Sequence, residues 1–194
     1  MNLYTATITL FLIMNPLGNI PFFITTLQHI APKRRTRIIV REAVFAFLIL
    51  ALFLFVGRPL LKGLQVTPAA LSIAGSIILL LIAIRMIFPP TKGKTEEDAG
   101  EPFIVPLAIP MFAGPATMAM VMLMVTQQPE EIWYVFLALV IAWIISSALL
   151  IASNWISSLL GKRGLIALER LMGMVLTTIA VQMFLTGIHG YFQL

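Results

Sequence analysis

The feature that most constrains this chain is a series of six apolar runs joined by short polar segments. They cover residues 3–27, 43–56, 66–84, 103–126, 132–160 and 171–192. A helix needs about 20 mostly apolar residues to cross the hydrocarbon core of a bilayer. Of the 194 residues, only 11% are charged, against roughly 25% in a soluble domain. The sequence therefore predicts an all-α membrane protein with six transmembrane helices in one membrane domain, residues 1–194.

The basic residues predict the orientation of these spans. Eleven of the thirteen Lys and Arg residues lie in or beside the loops after the first, third and fifth spans. Because Lys and Arg accumulate in cytoplasmic loops, we expect those three loops in the cytoplasm and both termini outside. The net charge of +5 then reflects topology, and we expect no nucleic-acid partner. The first span lacks the flanks of a signal peptide, so we expect it to be retained.

The two halves of the chain resemble each other. A Pro-x4-Pro motif occurs in the first span, at Pro16 and Pro21, and again 94 residues later in the fourth span, at Pro110 and Pro115. A second similarity, at an offset of 97 residues, links IAIRM at the end of the third span to IAVQM in the sixth. These matches indicate an internal repeat of three spans.

An odd number of spans in each repeat fixes the relation between the two copies. The second copy must cross the membrane in the opposite direction, which gives inverted repeats related by a pseudo-two-fold axis in the membrane plane. We therefore assign residues 1–88 to the first three-span repeat, residues 89–102 to a polar cytoplasmic linker, and residues 103–194 to the second three-span repeat. This architecture recurs in secondary transporters.

The proline pairs predict that helices 1 and 4 are broken inside the membrane. Proline removes a backbone N–H and clashes with the carbonyl four residues earlier, and Gly18 and Gly114 add backbone freedom. The first break lies about 18 Å below the start of its span, close to the centre of a core roughly 30 Å thick. We expect short helices to restart at Pro21 and Pro115, with free backbone groups facing a midplane site.

Such a site suits a small molecule that carries one negative and one positive group. The two helix N-termini would receive the carboxylate, and Asn15 with nearby carbonyls would receive the ammonium group. Asn15 also has a second interpretation, as a buried cap for the freed backbone. Gln182 likewise has a second interpretation, as a helix–helix hydrogen bond. The ten predicted substrate-binding residues are Asn15, Pro16, Gly18, Asn19, Pro21, Pro110, Gly114, Pro115, Thr117 and Gln182.

Several absences narrow the chemistry. The chain has no cysteine and no HExxH, GxSxG or Walker motif, so we expect no enzyme, metal site or cofactor. No Asp or Glu lies deep in a predicted span, since Glu42 and Glu169 sit beside Arg41 and Arg170 toward the cytoplasmic ends. We therefore expect no midplane carboxylate relay of the kind found in proton pumps. Coupling to sodium or to protons stays open.

Several strings make the chain resemble the MarC family of bacterial inner-membrane proteins. They are NPLGNIP (15–21), KRR (33–35), RE (41–42), EPFIVPLAIP (101–110), AGPAT (113–117) and LERLMG (168–173). The resemblance covers nearly the whole chain and implies a multi-pass protein of the bacterial inner membrane, whose outer side is the periplasm. The family is grouped with the LysE-like exporters and includes members described as small neutral amino-acid transporters. The resemblance thus implies glycine- or alanine-like substrates.

Together these features predict a secondary transporter or exporter of small neutral amino acids that works by alternating access. Its expected partners are the lipid bilayer and a small zwitterionic substrate. Two alternatives stay open: an exporter or channel for drugs or other metabolites, and a membrane scaffold without transport whose breaks serve only packing. The substrate, the direction, the coupling ion and the oligomeric state are not determined by the sequence.

Overall fold

The computed structural model describes residues 2–27, 30, 32–89 and 114–192, and the regular structure in these segments is entirely helical. The helices are α1 (Leu3–Met14), α2 (Pro16–Leu27), α3 (Pro32–Gly63), α4 (Pro68–Ile87), α5 (Pro115–Gln127), α6 (Ile132–Ile151) and α7 (Ser153–Phe192), with a short 3₁₀ helix at Pro129–Glu131. The prediction of an all-helical protein is confirmed for these described segments.

Five helical segments are long and apolar enough to cross a membrane: Leu3–Ile24, Arg34–Gly63, Pro68–Ile87, Pro129–Ile151 and Ser153–Phe192. The shorter apolar helix α5 covers the second part of the predicted fourth span. The first part of that span and all of the predicted linker except Pro89 lie outside the described residues. Large apolar side chains such as Leu52, Leu81 and Leu171 are exposed on the outside of the helices, as expected where lipid replaces water.

Helices α4 and α7 form the most extensive pair in the bundle. Ser72 Oγ on α4 donates a hydrogen bond of 2.8 Å to the Met183 carbonyl on α7. Around this pair, α2 packs on α7 and α6, and α5 packs on α4 and α3. Helix α1 lies mainly along α6, which also contacts α3. Every helix therefore contributes to one common core.

The predicted fifth span, residues 132–160, is not one helix. Helix α6 ends at Ile151, and α7 begins two residues later at Ser153. Inside α7 the chain is interrupted at Gly161, whose φ of 63° suits glycine because it has no Cβ. The region between the fifth and sixth spans, which the sequence suggests is a loop, is largely helical. Continuous apolar composition hid the change of direction, since hydropathy carries no signal for a bend.

Close packing of α4 against α7 requires glycine at position 187. A Cβ there would lie 3.1 Å from the Ala69 carbonyl oxygen, whereas a Cβ on Gly190 would meet only the Ala69 Cβ, at 3.9 Å. Small residues let membrane helices approach in this way. Since overpacking destabilises by about 1–3 kcal/mol, we expect Gly187→Ala to lower the thermal unfolding midpoint in detergent.

The matched control for this prediction is Gly190→Ala, on the same helix one turn away. It adds the same methyl group without a close contact, so its unfolding midpoint should stay unchanged or rise. Equal destabilisation by both substitutions would contradict the packing argument.

Candidate functional site

The chain changes direction at Asn15, between α1 and α2. Asn15 is 3% exposed and adopts the left-handed conformation, with φ 49° and ψ 51°, which asparagine tolerates better than most residues. Its Oδ1 accepts a hydrogen bond from the Gly18 N–H at 3.3 Å. Its Nδ2 donates to Met86 Sδ on α4 at 3.1 Å. The side chain therefore caps α2 and ties this point of the chain to α4.

The predicted restart at Pro21 is wrong, because α2 already begins at Pro16 and contains Pro21 within it. Proline suits the first position of a helix, where its missing N–H would have no partner in any case. At Pro21 the helix continues, although proline has no backbone N–H to donate to the carbonyl four residues earlier. One proline thus begins the helix and the other is accommodated inside it, so the two do not unwind the chain together.

Asn19 completes the capping at this point. Its Nδ2 donates to the Met14 carbonyl at 3.2 Å, which is one of the acceptors left open at the end of α1. Asn15 thus caps the N-terminus of α2, and Asn19 caps the C-terminus of α1. The interpretation of Asn15 as a buried backbone cap therefore agrees with the structure.

The second predicted helix start does fall at Pro115. Helix α5 begins there, after Gly114 in an extended conformation. Thr117 lies in the first turn and is 1% exposed. The first-turn N–H groups of a helix have no intrahelical partner and carry a partial positive charge, so this end of α5 favours an anionic group.

A cavity of about 280 Å³ brings these two points of the chain together. Five of the ten predicted residues line it: Asn15, Gly18, Asn19, Gly114 and Thr117. Apolar side chains make up much of the remaining wall, among them Phe22, Leu79, Ile82, Met86 and Leu176. The volume is near the lower end of the roughly 300–1,000 Å³ typical of small-molecule sites. The cavity therefore fits a ligand of only a few heavy atoms.

Two charged side chains that the sequence analysis did not assign to the site also line this cavity. They are Arg85, on the last turn of α4, and Glu169 on α7. No ion pair joins either of them to another residue in the described part of the chain. The cavity thus presents a cation and an anion, with no ion pair between them. The charge of Arg170, next to Glu169 in the sequence, also acts on Glu169.

Neither charge is predicted from the sequence as part of the site, for identifiable reasons. Arg85 was counted among the basic residues that set orientation, and Glu169 was placed at an interface beside Arg170. The string LERLMG (168–173) could have drawn attention to Glu169, but it does not indicate which neighbour Glu169 faces. Only the packing of α4 along α7 brings the two side chains to one cavity.

The predicted site lies at the midplane of the membrane. The cavity instead lies toward one end of the helix bundle. Asn15 contacts Met86, which belongs to the last turn of α4. Likewise, Met14 Sδ lies 3.9 Å from Ser146 Oγ, near the end of α6. The buried Asn15 and Thr117 form the inner part of the cavity, while Arg85 is exposed. The cavity therefore runs from a buried floor toward the end of the bundle that carries Arg85.

The other predicted residues have different positions. Pro16, Pro21 and Pro115 stand next to lining residues without being among those described as lining the cavity. Gln182 is exposed on α7, and its Nε2 donates to Thr186 Oγ1 at 3.4 Å, so it lies away from the cavity. Pro110 falls outside the described residues.

These features define an integral membrane protein of helices with a small, charged cavity near one end. Comparison with known proteins narrows this class. The profile of the MarC family of integral membrane proteins matches residues 1–192, and the chain belongs to this family.

The relatives cover nearly the full length of the chain. The UPF0056 inner membrane protein YhgN of Escherichia coli (strain K12) is 47% identical over 191 residues, 97% of each chain. A UPF0056 membrane protein of Buchnera aphidicola subsp. Baizongia pistaciae is 45% identical over 194 residues, 98% of each chain. One from Chlamydia trachomatis serovar D is 35% identical over 197 residues, covering 100% of this chain and 96% of the relative. No solved structure matches the chain significantly.

Proposed function

We propose that this protein is a secondary transporter or exporter of small neutral amino acids, such as glycine and alanine. The observation that carries the proposal is that Arg85 and Glu169 line one small cavity without forming an ion pair with each other. A free amino acid has a carboxylate and an ammonium group on a short frame. Such a molecule can interact with both charged side chains at once. Its carboxylate and its ammonium group then exchange bound water for Arg85 and Glu169.

Each end of the substrate has a candidate partner. Arg85 presents a planar guanidinium, which binds carboxylates through paired hydrogen bonds, and the first turn of α5 at Thr117 adds partial positive charge on the same substrate group. Glu169 receives the ammonium group. Asn15, whose amide is engaged with Gly18 and Met86, holds the floor in place. The apolar walls and the small volume select against long side chains.

A second cavity supports transport by alternating access. It has a volume of about 320 Å³ and lies at the opposite ends of α4 and α7, where Thr67, Ser72 and His189 are among its lining residues. Ser72 of this cavity and Leu79 of the first are seven residues apart on α4, a rise of about 10 Å. Ser76, between them, is buried. Ser76 also lines an apolar groove between α4 and α7. The two cavities face opposite ends of the bundle.

The helix pairing supports the inverted repeat. Exchanging α2 with α5, α3 with α6 and α4 with α7 converts the α2–α7 pair into α5–α4 and the α2–α6 pair into α5–α3, and all four are observed. The pairs α4–α7 and α3–α6 map onto themselves. Leu79 and Leu176, which differ by the offset of 97, both line the first cavity. We infer that these pairs reflect a pseudo-two-fold axis.

The orientation follows from the basic loops. We propose that the chain lies in the bacterial inner membrane, as the name of the YhgN relative states for that protein, with both termini in the periplasm. Arg85 then lies at the cytoplasmic end. The first cavity opens to the cytoplasm in this arrangement, which suits the loading of an exported substrate.

The alternative of a drug exporter has less support. Phe22 is the single aromatic side chain among the lining residues that the structure describes, whereas a large aromatic drug needs a wider apolar cavity. The small volume and the two charges favour the amino acid.

Ligand-induced stabilisation of the purified protein tests the proposed substrate class. A ligand that binds the native state at about 100 times its Kd adds about 2.7 kcal/mol of stability, so glycine and alanine should raise the unfolding midpoint. Glycinamide lacks the carboxylate and acetate lacks the ammonium group, so neither should match that rise. Stabilisation by a large aromatic cation without any response to glycine would contradict the proposal and favour the drug exporter.

A further inference from the structure

Glu42 is a carboxylate buried inside the bundle, on a helix long and apolar enough to cross a membrane. It lies about one third of the way along α3 (Pro32–Gly63) and is 0% exposed. The sequence predicts a position toward the cytoplasmic end, beside Arg41. The structure extends α3 well before Glu42, and the side chain points into the bundle. Ionisable groups in such positions are rare in membrane proteins and commonly belong to ion or proton pathways.

The two oxygens of Glu42 have different surroundings. Oε1 accepts from Arg41 Nε at 2.8 Å and lies 2.7 Å from Arg41 Nη2. Oε2 is buried and has no hydrogen-bond partner among the described residues. The Arg41 side chain is 34% exposed. The carboxylate is therefore held from one side only, and its other oxygen lacks the hydrogen bonds that a buried charge requires.

Helix α6 fixes the level of Glu42 in the bundle. Trp143 Nε1 donates to the carbonyl of Ala43, the next residue on α3, at 2.7 Å. One turn from Trp143 lies Ser147, whose Oγ is also buried without a partner within the described part of the chain. Two unsatisfied polar groups thus occur near one level of the α3–α6 contact.

The other elements around Glu42 add no competing charge. Helices α5 and α6, the principal partners of α3, contain no Asp, Glu, Lys, Arg or His, and neither does α2. Tyr134 is the ionisable side chain of α6, and it lies nine residues from Trp143, a rise of about 14 Å. Among the described residues, Arg41 is therefore the charged group that directly faces Glu42.

We infer that Glu42 is a proton-binding site and that it couples transport to the proton gradient. Arg41 holds Oε1, and the buried Oε2 without a hydrogen bond is the atom to which the proton adds. A proton added to Oε2 removes the buried charge and supplies a donor at that oxygen, and its release restores the Arg41 pair. The coupling rests on the proposed transport function, but proton binding by Glu42 does not.

Infrared difference spectroscopy of the reconstituted protein tests proton binding without any substrate. The eight side-chain carboxyl groups of the chain all titrate, so the Glu42 signal is the difference between the wild-type and Glu42→Gln titrations. This difference should contain one protonated carboxyl band. The band should persist in Glu130→Gln, a matched change at an exposed glutamate. Identical titrations of the wild type and Glu42→Gln, or loss of this band in Glu169→Gln instead, would overturn the assignment.

Flux measurements in proteoliposomes test the coupling. If one proton crosses the membrane with each glycine, a gradient of about one pH unit sustains about a tenfold ratio between the glycine concentrations on the two sides. Glu42→Gln should reduce this ratio to about one while retaining glycine counterflow, which needs no ion gradient, and Glu42→Asp should restore part of the accumulation. Gradient-driven accumulation by Glu42→Gln would overturn the coupling. Absence of any glycine counterflow in the wild type would count against the proposed function and leave the infrared result to decide proton binding.

Discussion

Arg85→Gln and Glu169→Gln should each raise the glycine concentration that half-saturates counterflow by about 30-fold. The physical reason is that each variant leaves one charged end of the substrate without its partner in the cavity. Removing one member of a hydrogen-bonded charge pair costs about 2–5 kcal/mol, and the exposure of Arg85 places it at the lower end of that range. A loss of about 2 kcal/mol corresponds to about 30-fold.

The two variants should also differ in what they recognise. Arg85→Gln should lose discrimination between glycine and glycinamide, because the group that reads the carboxylate is gone. Glu169→Gln should lose discrimination between glycine and acetate for the corresponding reason. Wild-type affinity in both variants would remove these charges from substrate binding.

Two substitutions outside the cavity serve as controls. Arg163→Gln removes an exposed charge from the same helix as Glu169, and Glu130→Gln removes an exposed carboxylate before α6. Each changes the net charge by the same amount as its partner variant without touching the cavity lining. Neither should alter half-saturation, so a similar loss in the controls would indicate a general effect of charge.

Asn15→Gly should leave the fold intact and reduce transport at least about tenfold, since tenfold corresponds to 1.4 kcal/mol. Glycine adopts the left-handed conformation of Asn15 without strain, so this variant removes the amide and little else. It takes away the cap on Gly18 and the contact with Met86. The cavity floor then loses both its polar group and its connection to α4.

Asn15→Leu is the harsher comparison. A leucine in the left-handed region adds about 1–2 kcal/mol of strain to the about 0.5–2 kcal/mol of a lost cap. Its unfolding midpoint should therefore fall clearly below that of Asn15→Gly, and its transport should be abolished. If Asn15→Gly transports as well as the wild type, Asn15 acts as a cap alone and has no part in substrate binding.

The helix starts show how far local sequence rules reach. Proline at the first position predicted α5 at Pro115, because a missing N–H is harmless there. The same rule gave a wrong helix start at Pro21, because the first position of α2 is already occupied by Pro16. The capping residues Asn15 and Asn19 were both predicted as site residues, since short amides beside prolines in an apolar span are unusual.

The charged residues show what local rules miss. Arg85, Glu169 and Glu42 all lie near segments that hydropathy marks as span ends, so the sequence suggests solvated or paired side chains. Their real surroundings depend on which helices pack together and on how far α3 and α7 continue beyond the apolar runs. Gln182 shows the opposite failure, because a polar residue in an apolar span faces outward and bonds within its own helix.

Counterflow of radiolabelled glycine and alanine in proteoliposomes containing the wild-type protein tests the central claim most directly. We expect saturable exchange that unlabelled glycine and alanine inhibit and that glycinamide and acetate do not. Absence of exchange by protein shown to be folded, whatever gradient is imposed, would contradict transport of small neutral amino acids through the cavity between Asn15, Arg85 and Glu169.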